Sequence, residues 1–226
     1  MMMIRAVLFD CDGVVIDSEP MGCGALAQAM GEAGRLMSSA QARTVFSGSA
    51  PQDSRAWMQG QGLDADTVFA RSDEILFAMF EDSVPYIPGI ETVLRDVPLK
   101  KAICSNSSVL RLDLSVCRTP LAKHFGRPIY SAAHVKHPNP APDLALHACR
   151  ELDVLPREAV FIDDNIHGIG CAKAAGCIAV GFVGPSEDRP PHDRTLRAAG
   201  ADHIVHSMSE FHTLLTHLTT DILEAI

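Results

Sequence analysis

A short apolar segment that ends in two aspartates constrains the fold of this chain more than any other feature. Residues 4–9, IRAVLF, are mostly apolar and lead directly into Asp10, Cys11, Asp12 and Gly13. Apolar runs of this length that end in turn-forming residues are typical of buried strands. In open parallel sheets, ligands bind at the carboxyl ends of the strands, so Asp10 and Asp12 are candidate functional residues. An ordinary Asp-rich turn is the alternative interpretation of the motif taken alone.

Strand-like and helix-like segments alternate through most of the chain. The predicted strands are residues 4–9, 101–105, 128–130, 159–162, 178–182 and 203–205, and the helices among them include 143–152 and 166–175. This alternation predicts an α/β fold, a doubly wound, Rossmann-like parallel sheet covered by helices on both faces. Residues 20–80 have helical patterns and no clear strand. We therefore predict that 1–17 and 88–226 form the core domain and that 18–87 form an all-helical insert.

Composition limits the binding partners and the cellular compartment expected for this chain. A net charge of −9 argues against a nucleic-acid surface, because phosphate backbones require clustered Lys and Arg. The sequence contains neither a secretory pattern nor an apolar run long enough to cross a membrane. Seven cysteines without CxxC pairs fit reduced thiols in the cytoplasm better than a disulfide framework. The oligomeric state is not indicated by any pattern in the sequence.

Two other predicted strands also end in polar side chains. The strand at 101–105 ends in Ser105 and is followed by Asn106, and Asp163 and Asp164 follow the strand at 159–162. In a parallel sheet these ends lie at the same edge as the first pair of aspartates. Taken separately, a helix cap and a plain turn would explain them. Four carboxylates at one edge repel one another unless a cation lies among them, and hard oxygen ligands suit Mg²⁺.

Together these motifs resemble the haloacid dehalogenase-like hydrolase superfamily, in the subgroup with a helical cap domain after the first motif. The matching stretches are FDCDGVVIDSE at 9–19, CSN at 104–106, PAPD at 140–143 and FIDD at 161–164. Within the superfamily, the chain is most similar in character to bacterial sugar-phosphate phosphatases such as 6-phosphogluconate phosphatase, and to β-phosphoglucomutase-like proteins. The resemblance implies that the helical insert is a cap domain.

The resemblance also implies a role for each candidate residue. Asp10 would attack phosphorus and form an aspartyl-phosphate, while Asp12 would act as general acid and then general base. Ser105 and Asn106 would hold the phosphoryl oxygens. The cofactor would be Mg²⁺, which offsets the repulsion between the nucleophile and the phosphate. The metal-binding residues would be Asp10, Asp12 through its backbone carbonyl, Asp164, and Asp163 beside it.

The chain departs from the family pattern Lys-Pro-x-Pro-Asp, because Asn139 occupies the lysine position. A unit charge about 4 Å away contributes roughly 4 kcal/mol at an effective dielectric constant near 20. Its loss could slow the reaction by roughly a thousandfold. Lys136 could reach the site if its loop bends, although a solvated side chain is the alternative. Lys173 is a weaker candidate.

These observations predict a Mg²⁺-dependent phosphatase that acts on a small phosphorylated metabolite, most simply a sugar phosphate. One alternative is a catalytically weakened homologue that binds a phosphorylated ligand or a protein without turnover, and Asn139 supports it. A β-phosphoglucomutase-like phosphotransferase is less favoured, because Gly22 stands near the place of the cap histidine of the mutases. Arg43 and Arg55 are candidate substrate contacts in the cap, with a solvated helix face as the alternative.

Overall fold

The computed structural model describes residues 3–47, 49, 51–126, 129–186 and 192–220. Its sheet has six parallel strands in the order β3-β2-β1-β4-β5-β6. The strands are β1 (Ala6–Phe9), β2 (Lys100–Ser105), β3 (Ile129–Ser131), β4 (Ala159–Asp163), β5 (Ile178–Phe182) and β6 (His203–Val205). The predicted doubly wound α/β class is confirmed, and all six predicted strands are present. Residue 128, placed in a strand by the sequence pattern, lies outside the described residues.

Eleven α-helices lie in the described part of the chain. They are α1 (Glu19–Glu32), α2 (Ser39–Phe46), α3 (Pro51–Gly60), α4 (Ala65–Asp82), α5 (Ile90–Asp96), α6 (Val109–Leu112), α7 (Ala122–Phe125), α8 (Asp143–Glu151), α9 (Ile166–Ala175), α10 (His192–Ala198) and α11 (Met208–Thr220). A π-helical turn, Asp113–Cys117, directly follows α6. None of the helices described is both long and apolar enough to cross a bilayer.

The central strand β1 is buried along its whole length and packs on both faces of the sheet. Leu8 belongs to an apolar cluster with Leu144 of α8 and Ile169 of α9. Phe9 points to the opposite face, where its ring makes edge-to-face contacts with Phe125 of α7 and Phe211 of α11. Successive side chains of a strand alternate between faces, so these two residues bury β1 under helices on both sides.

The register of the sheet brings three strand ends together. Phe9 of β1 is paired with Ile103 of β2 and with Ile162 of β4. Beyond the last paired residue, the backbone N–H of Asp10 donates to the carbonyl of Ile162 at 3.0 Å. The polar residues at the ends of these three strands therefore lie together at the carboxyl-end edge of the sheet, on its middle strands.

The chain divides into two compact units, residues 1–17 with 85–226, and residues 18–84. The first contains the sheet, and the second contains α1 to α4. Residues 85–87 are hydrogen-bonded to the first unit, since Asp17 N–H donates to the Pro85 carbonyl at 2.9 Å and Ile87 N–H donates to the Val15 carbonyl at 3.1 Å. The sequence pattern had placed these residues in the insert. That the second unit acts as a cap remains a proposal.

In the helical unit, α1 packs against both α2 and α4. The long helix α4 begins after Asp64, whose carboxylate accepts a hydrogen bond from the backbone N–H of Asp66 at 3.2 Å. Its buried face includes Val68, Ile75 and Phe80, at the spacing expected of an amphipathic helix. The helical character predicted for this insert is therefore present in the structure.

Candidate active site

The turn after β1 brings its backbone close to the carboxylate of Asp164, which directly follows β4. Gly13 has a φ of +77°, and its N–H donates to the carbonyl of Ile16 at 2.8 Å. A Cβ at Gly13 would lie 2.3 Å from Oδ2 of Asp164, so a side chain there would displace that carboxylate. Glycine satisfies both the positive φ and the close approach. The sequence pattern had identified Gly13 only as a turn residue.

Three of the four predicted metal ligands form a compact group. Carboxylate oxygens of Asp10, Asp163 and Asp164 all lie within 4.8 Å of one another. Asp163 is buried, and its Oδ1 accepts a hydrogen bond from the backbone N–H of Asn165 at 2.8 Å. Helix α9 also leaves room for this carboxylate, because a Cβ at Gly168 would lie 1.5 Å from its Oδ2. Hard oxygen donors packed this closely suit a divalent cation such as Mg²⁺.

Burial, together with the proximity of the acids to one another, raises the pKa values of Asp10 and Asp163. Burial, reinforced by the charge of Asp12, raises the pKa of Asp10 from 3.8 to about 7. Burial and then the charge of Asp10 raise the pKa of Asp163 well above its usual range. Both shifts disfavour the ionised forms, and a bound cation would reverse this preference. The donor set and its electrostatics therefore fit the expected metal.

The side chain of Asp12 is held by two residues that the sequence analysis missed. The hydroxyl of Ser107 donates to Asp12 Oδ2 at 2.6 Å. The guanidinium of Arg111 donates from Nη2 to Oδ1 at 2.7 Å and from Nε to both oxygens at 3.3 Å. The ion pair is about three-quarters buried, with side-chain exposures of 23% for Arg111 and 27% for Asp12. Ser107 and Arg111 thus orient the carboxylate predicted to act as general acid and base.

A local signal for Arg111 exists in the sequence. Ser108 caps helix α6, and its hydroxyl accepts a hydrogen bond from the backbone N–H of Arg111 at 3.2 Å. A serine followed by a short apolar stretch is a common helix start, which would place Arg111 in the first turn after the β2 strand end. Proximity of that turn to Asp12 depends on the pairing of β1 with β2.

Ser105 and Asn106 lie beside the carboxylates, in different environments. Ser105 is buried, and its side-chain hydrogen bond to Asp10 favours the ionised form of Asp10, opposing the rise in its pKa. Asn106 is exposed, and its amide pairs with the backbone of Asn139. The Asn139 N–H donates to Asn106 Oδ1 at 3.1 Å, and Asn106 Nδ2 donates to the Asn139 carbonyl at 3.4 Å. Asn106 therefore joins the loop after β2 to the loop before α8.

The residue at the family's lysine position brings no charge to this edge of the sheet. Asn139 is half-buried, and its Oδ1 has no hydrogen-bond partner among the described residues. Lys136 is exposed and lines a surface depression with His147 and Arg150. Lys173 on α9 is paired with Asp202, with an Nζ to Oδ1 distance of 2.6 Å. Within the described residues, neither lysine forms an ion pair with a carboxylate of the acidic group.

A histidine also reaches the acidic group from α10. Nε2 of His192 donates to the backbone carbonyl of Asp164 at 2.7 Å, and the residue is half-buried. This contact was not predicted, because His192 and Asp164 are separated by 28 positions in the sequence. It anchors the segment that carries Asp164.

Comparisons with known proteins identify the family of this chain. Residues 4–176 match the haloacid dehalogenase-like hydrolase family. The chain is 30% identical to N-acetylmuramic acid 6-phosphate phosphatase of Pseudomonas aeruginosa, over 97% of this chain and 98% of that protein. It is 29% identical to fructose-1-phosphate phosphatase YqaB of Escherichia coli, over 77% of this chain and 94% of that protein.

A solved structure shows the same likeness in three dimensions. A haloacid dehalogenase family hydrolase of Deinococcus radiodurans, with bound phosphate and sodium, superimposes with a TM-score of 0.79 at 28% identity. The alignment covers 95% of this chain and 96% of that one. The chain belongs to the haloacid dehalogenase-like hydrolase family and is a hydrolase. The family resemblance inferred from the motifs is confirmed.

Proposed function

We propose that this protein is a Mg²⁺-dependent phosphatase that hydrolyses a small phosphorylated metabolite, most simply a sugar phosphate. The observation that carries the proposal is the convergence of Asp10, Asp163 and Asp164 at one edge of the sheet, with Ser105 hydrogen-bonded to Asp10. An acidic group alone would repel a phosphate. A divalent cation in that group, together with the nearby donors, makes the same place attractive to one.

Asp10 is the proposed nucleophile. One of its carboxylate oxygens attacks phosphorus, and the bond between phosphorus and the sugar oxygen breaks as the aspartyl-phosphate forms. The leaving oxygen receives a proton from Asp12. A water molecule then attacks the aspartyl-phosphate, Asp12 takes a proton from that water, and Asp10 is regenerated as inorganic phosphate departs. Division into two displacements replaces one difficult step by two easier ones.

The metal would be held by Asp10, Asp163 and Asp164 and by the backbone carbonyl of Asp12. When bound, Mg²⁺ neutralises charge on the nucleophile and the phosphoryl oxygens. Ser105 would donate to a phosphoryl oxygen and fix the orientation of the group. The Asn106 side chain is engaged with Asn139, so we expect its contribution to be the placement of the loop that carries Ser105 and Ser107.

The named relatives, and not the site geometry, support the proposed substrate class. Two curated relatives are named as phosphatases of N-acetylmuramic acid 6-phosphate and of fructose 1-phosphate, and we propose a substrate of the same chemical kind. All seven cysteines are free thiols, and six of them are buried. Free thiols in this number support a reducing compartment, and we propose a cytoplasmic enzyme.

Phosphate release from a panel of sugar phosphates and an aryl phosphate would test the proposal. Wild-type protein and Asp10→Asn would be measured with Mg²⁺ and with a chelator. Turnover that requires both Mg²⁺ and Asp10 is the expected result. Equal turnover in the variant, or in the chelator, would contradict the mechanism. If the wild type hydrolyses no compound of the panel while Asn139→Lys gains activity, the protein is instead a catalytically weakened homologue. The uncharged residue at position 139 is the observation that favours this alternative.

A further inference from the structure

Position 139 carries no positive charge in this chain, because Asn139 stands where the family pattern has a lysine. Asp10, Asp12, Asp163 and Asp164 bring four carboxyl groups to one edge of the sheet. A phosphate monoester adds further negative charge when it binds. Mg²⁺ offsets part of this charge, and the related family pattern supplies a lysine as well. A uniformly acidic site would bind phosphate weakly, so a second cation from the protein is expected on electrostatic grounds.

Arg111 is placed to be that cation. Its guanidinium contacts Asp12 through Nη2 at 2.7 Å and through Nε at 3.3 Å, and its side chain is only 23% exposed. The charge of Arg111 also acts on Asp10, where it opposes the effect of burial. Charges at such partly buried positions are screened less by salt than charges on the surface. Arg111 therefore influences both proposed catalytic carboxylates.

The backbone around Arg111 holds it in this position. The Ser131 hydroxyl donates to the carbonyl of Ser107 at 2.6 Å, and the Ser107 N–H donates to Ser105 Oγ at 3.2 Å. Ser108 caps the turn of α6 that carries Arg111. On the C-terminal side, Leu112 and Leu114 are buried. The segment thus presents Arg111 from a packed support, and a preorganised cation stabilises developing charge more effectively than a mobile one.

We infer that Arg111 supplies the positive charge of the phosphoryl-transfer site, in the role that the family pattern assigns to a lysine at position 139. The inference rests on the proposed phosphatase function and names the residue that completes it. The guanidinium has five donors in a planar fork that matches carboxylate and phosphate oxygens. In the structure the fork is directed to Asp12. With a phosphate bound, the same charge stabilises the phosphoryl oxygens while Asp12 stays in reach of the leaving group.

The two lysines that the sequence identified as candidates for this role fit it less well than Arg111. Lys136 is exposed beside Arg150, and Lys173 is paired with Asp202 at 2.6 Å. Either would have to leave its present surroundings to meet a phosphate at Asp10. Arg111 already contacts Asp12, two residues from Asp10 in the sequence.

A double-mutant cycle between positions 111 and 139 tests the inference. The variants are Arg111→Gln, Asn139→Lys and the double variant, each assayed with an aryl phosphate and saturating Mg²⁺. We expect Arg111→Gln to lower kcat/KM by about 100- to 1000-fold, the size typical of a lost charge-stabilising donor. Adding Asn139→Lys should then restore about tenfold or more, and it should change the wild type much less, because one cation substitutes for the other.

Matched variants separate charge from folding. Arg118→Gln removes an arginine from the same segment, where Arg118 pairs with Asp113 at an exposed position, and it should leave kcat/KM unchanged. Arg111→Lys keeps the charge and should remain within about tenfold of the wild type. Thermal midpoints of all variants would show which of them are folded. Two results would overturn the inference: Arg111→Gln within about threefold of the wild type, or Asn139→Lys acting by the same factor in both backgrounds.

Binding of inorganic phosphate provides a readout that does not require turnover. In the presence of Mg²⁺, phosphate should raise the thermal midpoint of the wild type, and Arg111→Gln should abolish most of this rise. The double variant should recover it. If the wild type hydrolyses nothing on the panel, the proposed function fails while this comparison still tests Arg111. An equal phosphate effect in wild type and Arg111→Gln would overturn the inference independently of activity.

Discussion

Asp163 and Gly168 are in such close contact that a Cβ on the glycine would lie 1.5 Å from Oδ2 of the aspartate. The two residues belong to β4 and to the first turns of α9, and the contact places a buried carboxylate against the helix backbone. A side chain at position 168 would have to move Asp163 or the helix. The position of the proposed metal ligand thus depends on a residue that offers no ligand atom itself.

We predict that Gly168→Ala weakens Mg²⁺ binding by about tenfold or more, because Asp163 must leave its place in the acidic group. The Mg²⁺ concentration that gives half-maximal phosphate release, or half-maximal stabilisation, would measure the change. Gly60→Ala is the control. Gly60 ends α3, is exposed and has no atom within 4 Å of the position of a Cβ. An unchanged Mg²⁺ dependence in Gly168→Ala would argue against Asp163 as part of the metal site.

Ser107→Ala should lower kcat by about tenfold with little change in KM. The substitution removes the 2.6 Å hydrogen bond to Asp12 but keeps the Ser107 carbonyl, which accepts from Ser131 and anchors the loop. A hydrogen bond to a charged group contributes about 1.5–3 kcal/mol, and Arg111 retains part of the orientation of Asp12. Steady-state kinetics on an aryl phosphate would check this. The control variant Ser209→Ala changes an exposed residue of α11 and should behave as wild type. If Ser107→Ala instead raises KM without lowering kcat, Ser107 would be assigned to substrate binding.

The raised pKa of Asp10 predicts how the metal-free protein responds to pH. Asp10 has a pKa of about 7 in the folded protein, against an ordinary value of 3.8. Between these values the unfolded chain is ionised at this position while the folded protein keeps the proton. The folded state then binds more protons, so the stability contributed by this group falls as pH rises from about 4 to about 7.

Asp10→Asn removes this titration and isolates the effect. In chelator, its thermal midpoint should match that of the wild type near pH 4 and should exceed it increasingly up to about pH 7, with a constant difference above that. Saturating Mg²⁺ should reduce the difference at neutral pH, because the cation stabilises the ionised wild-type carboxylate. Midpoints that differ by the same amount at every pH would show that Asp10 has an ordinary pKa in the folded protein.

The two arginines of the helical unit that the sequence identified as candidate substrate contacts differ in their surroundings, and this predicts different effects on specificity. Arg55 forms an ion pair with Asp66 and lies over the ring of Phe69, 5.5 Å from its centroid. Arg43 has no ion-pair partner among the described residues, and its charge acts on the buried thiol of Cys23, whose pKa it lowers against the effect of burial. The sequence-based hypothesis that Arg43 contacts the substrate predicts that Arg43→Ala raises KM for sugar phosphates that carry a carboxylate by about tenfold, as expected for the loss of one hydrogen bond to a charged group.

Arg55→Ala is the matched control and should leave that KM unchanged, since its charge is already paired within the helical unit. An aryl phosphate, which has no second anionic group, should be hydrolysed equally well by both variants. The opposite ranking, with Arg55→Ala more damaging on the carboxylated substrates alone, would transfer the specificity role to Arg55.

The strands and the aspartates at their ends were predictable from local sequence. Apolar runs that end in Asp10, Ser105 and Asp163 identify strands by composition and length, and strand alternation with helices determines a parallel sheet. In a parallel sheet the carboxyl ends share one edge. The family followed from the same motifs, because they combine residue type and spacing within single segments of chain.

The partners of those aspartates were decided by the tertiary structure. Arg111 meets Asp12 across 99 positions of sequence, Ser107 meets it across 95, and His192 meets Asp164 across 28. Such contacts depend on strand register, on the turn of α6 and on where α10 packs, none of which leaves a periodic signal in the sequence. The departure at Asn139 was visible in the sequence, but only the folded chain shows that another cation stands beside the same carboxylates, because side-chain charges act through space and not along the chain.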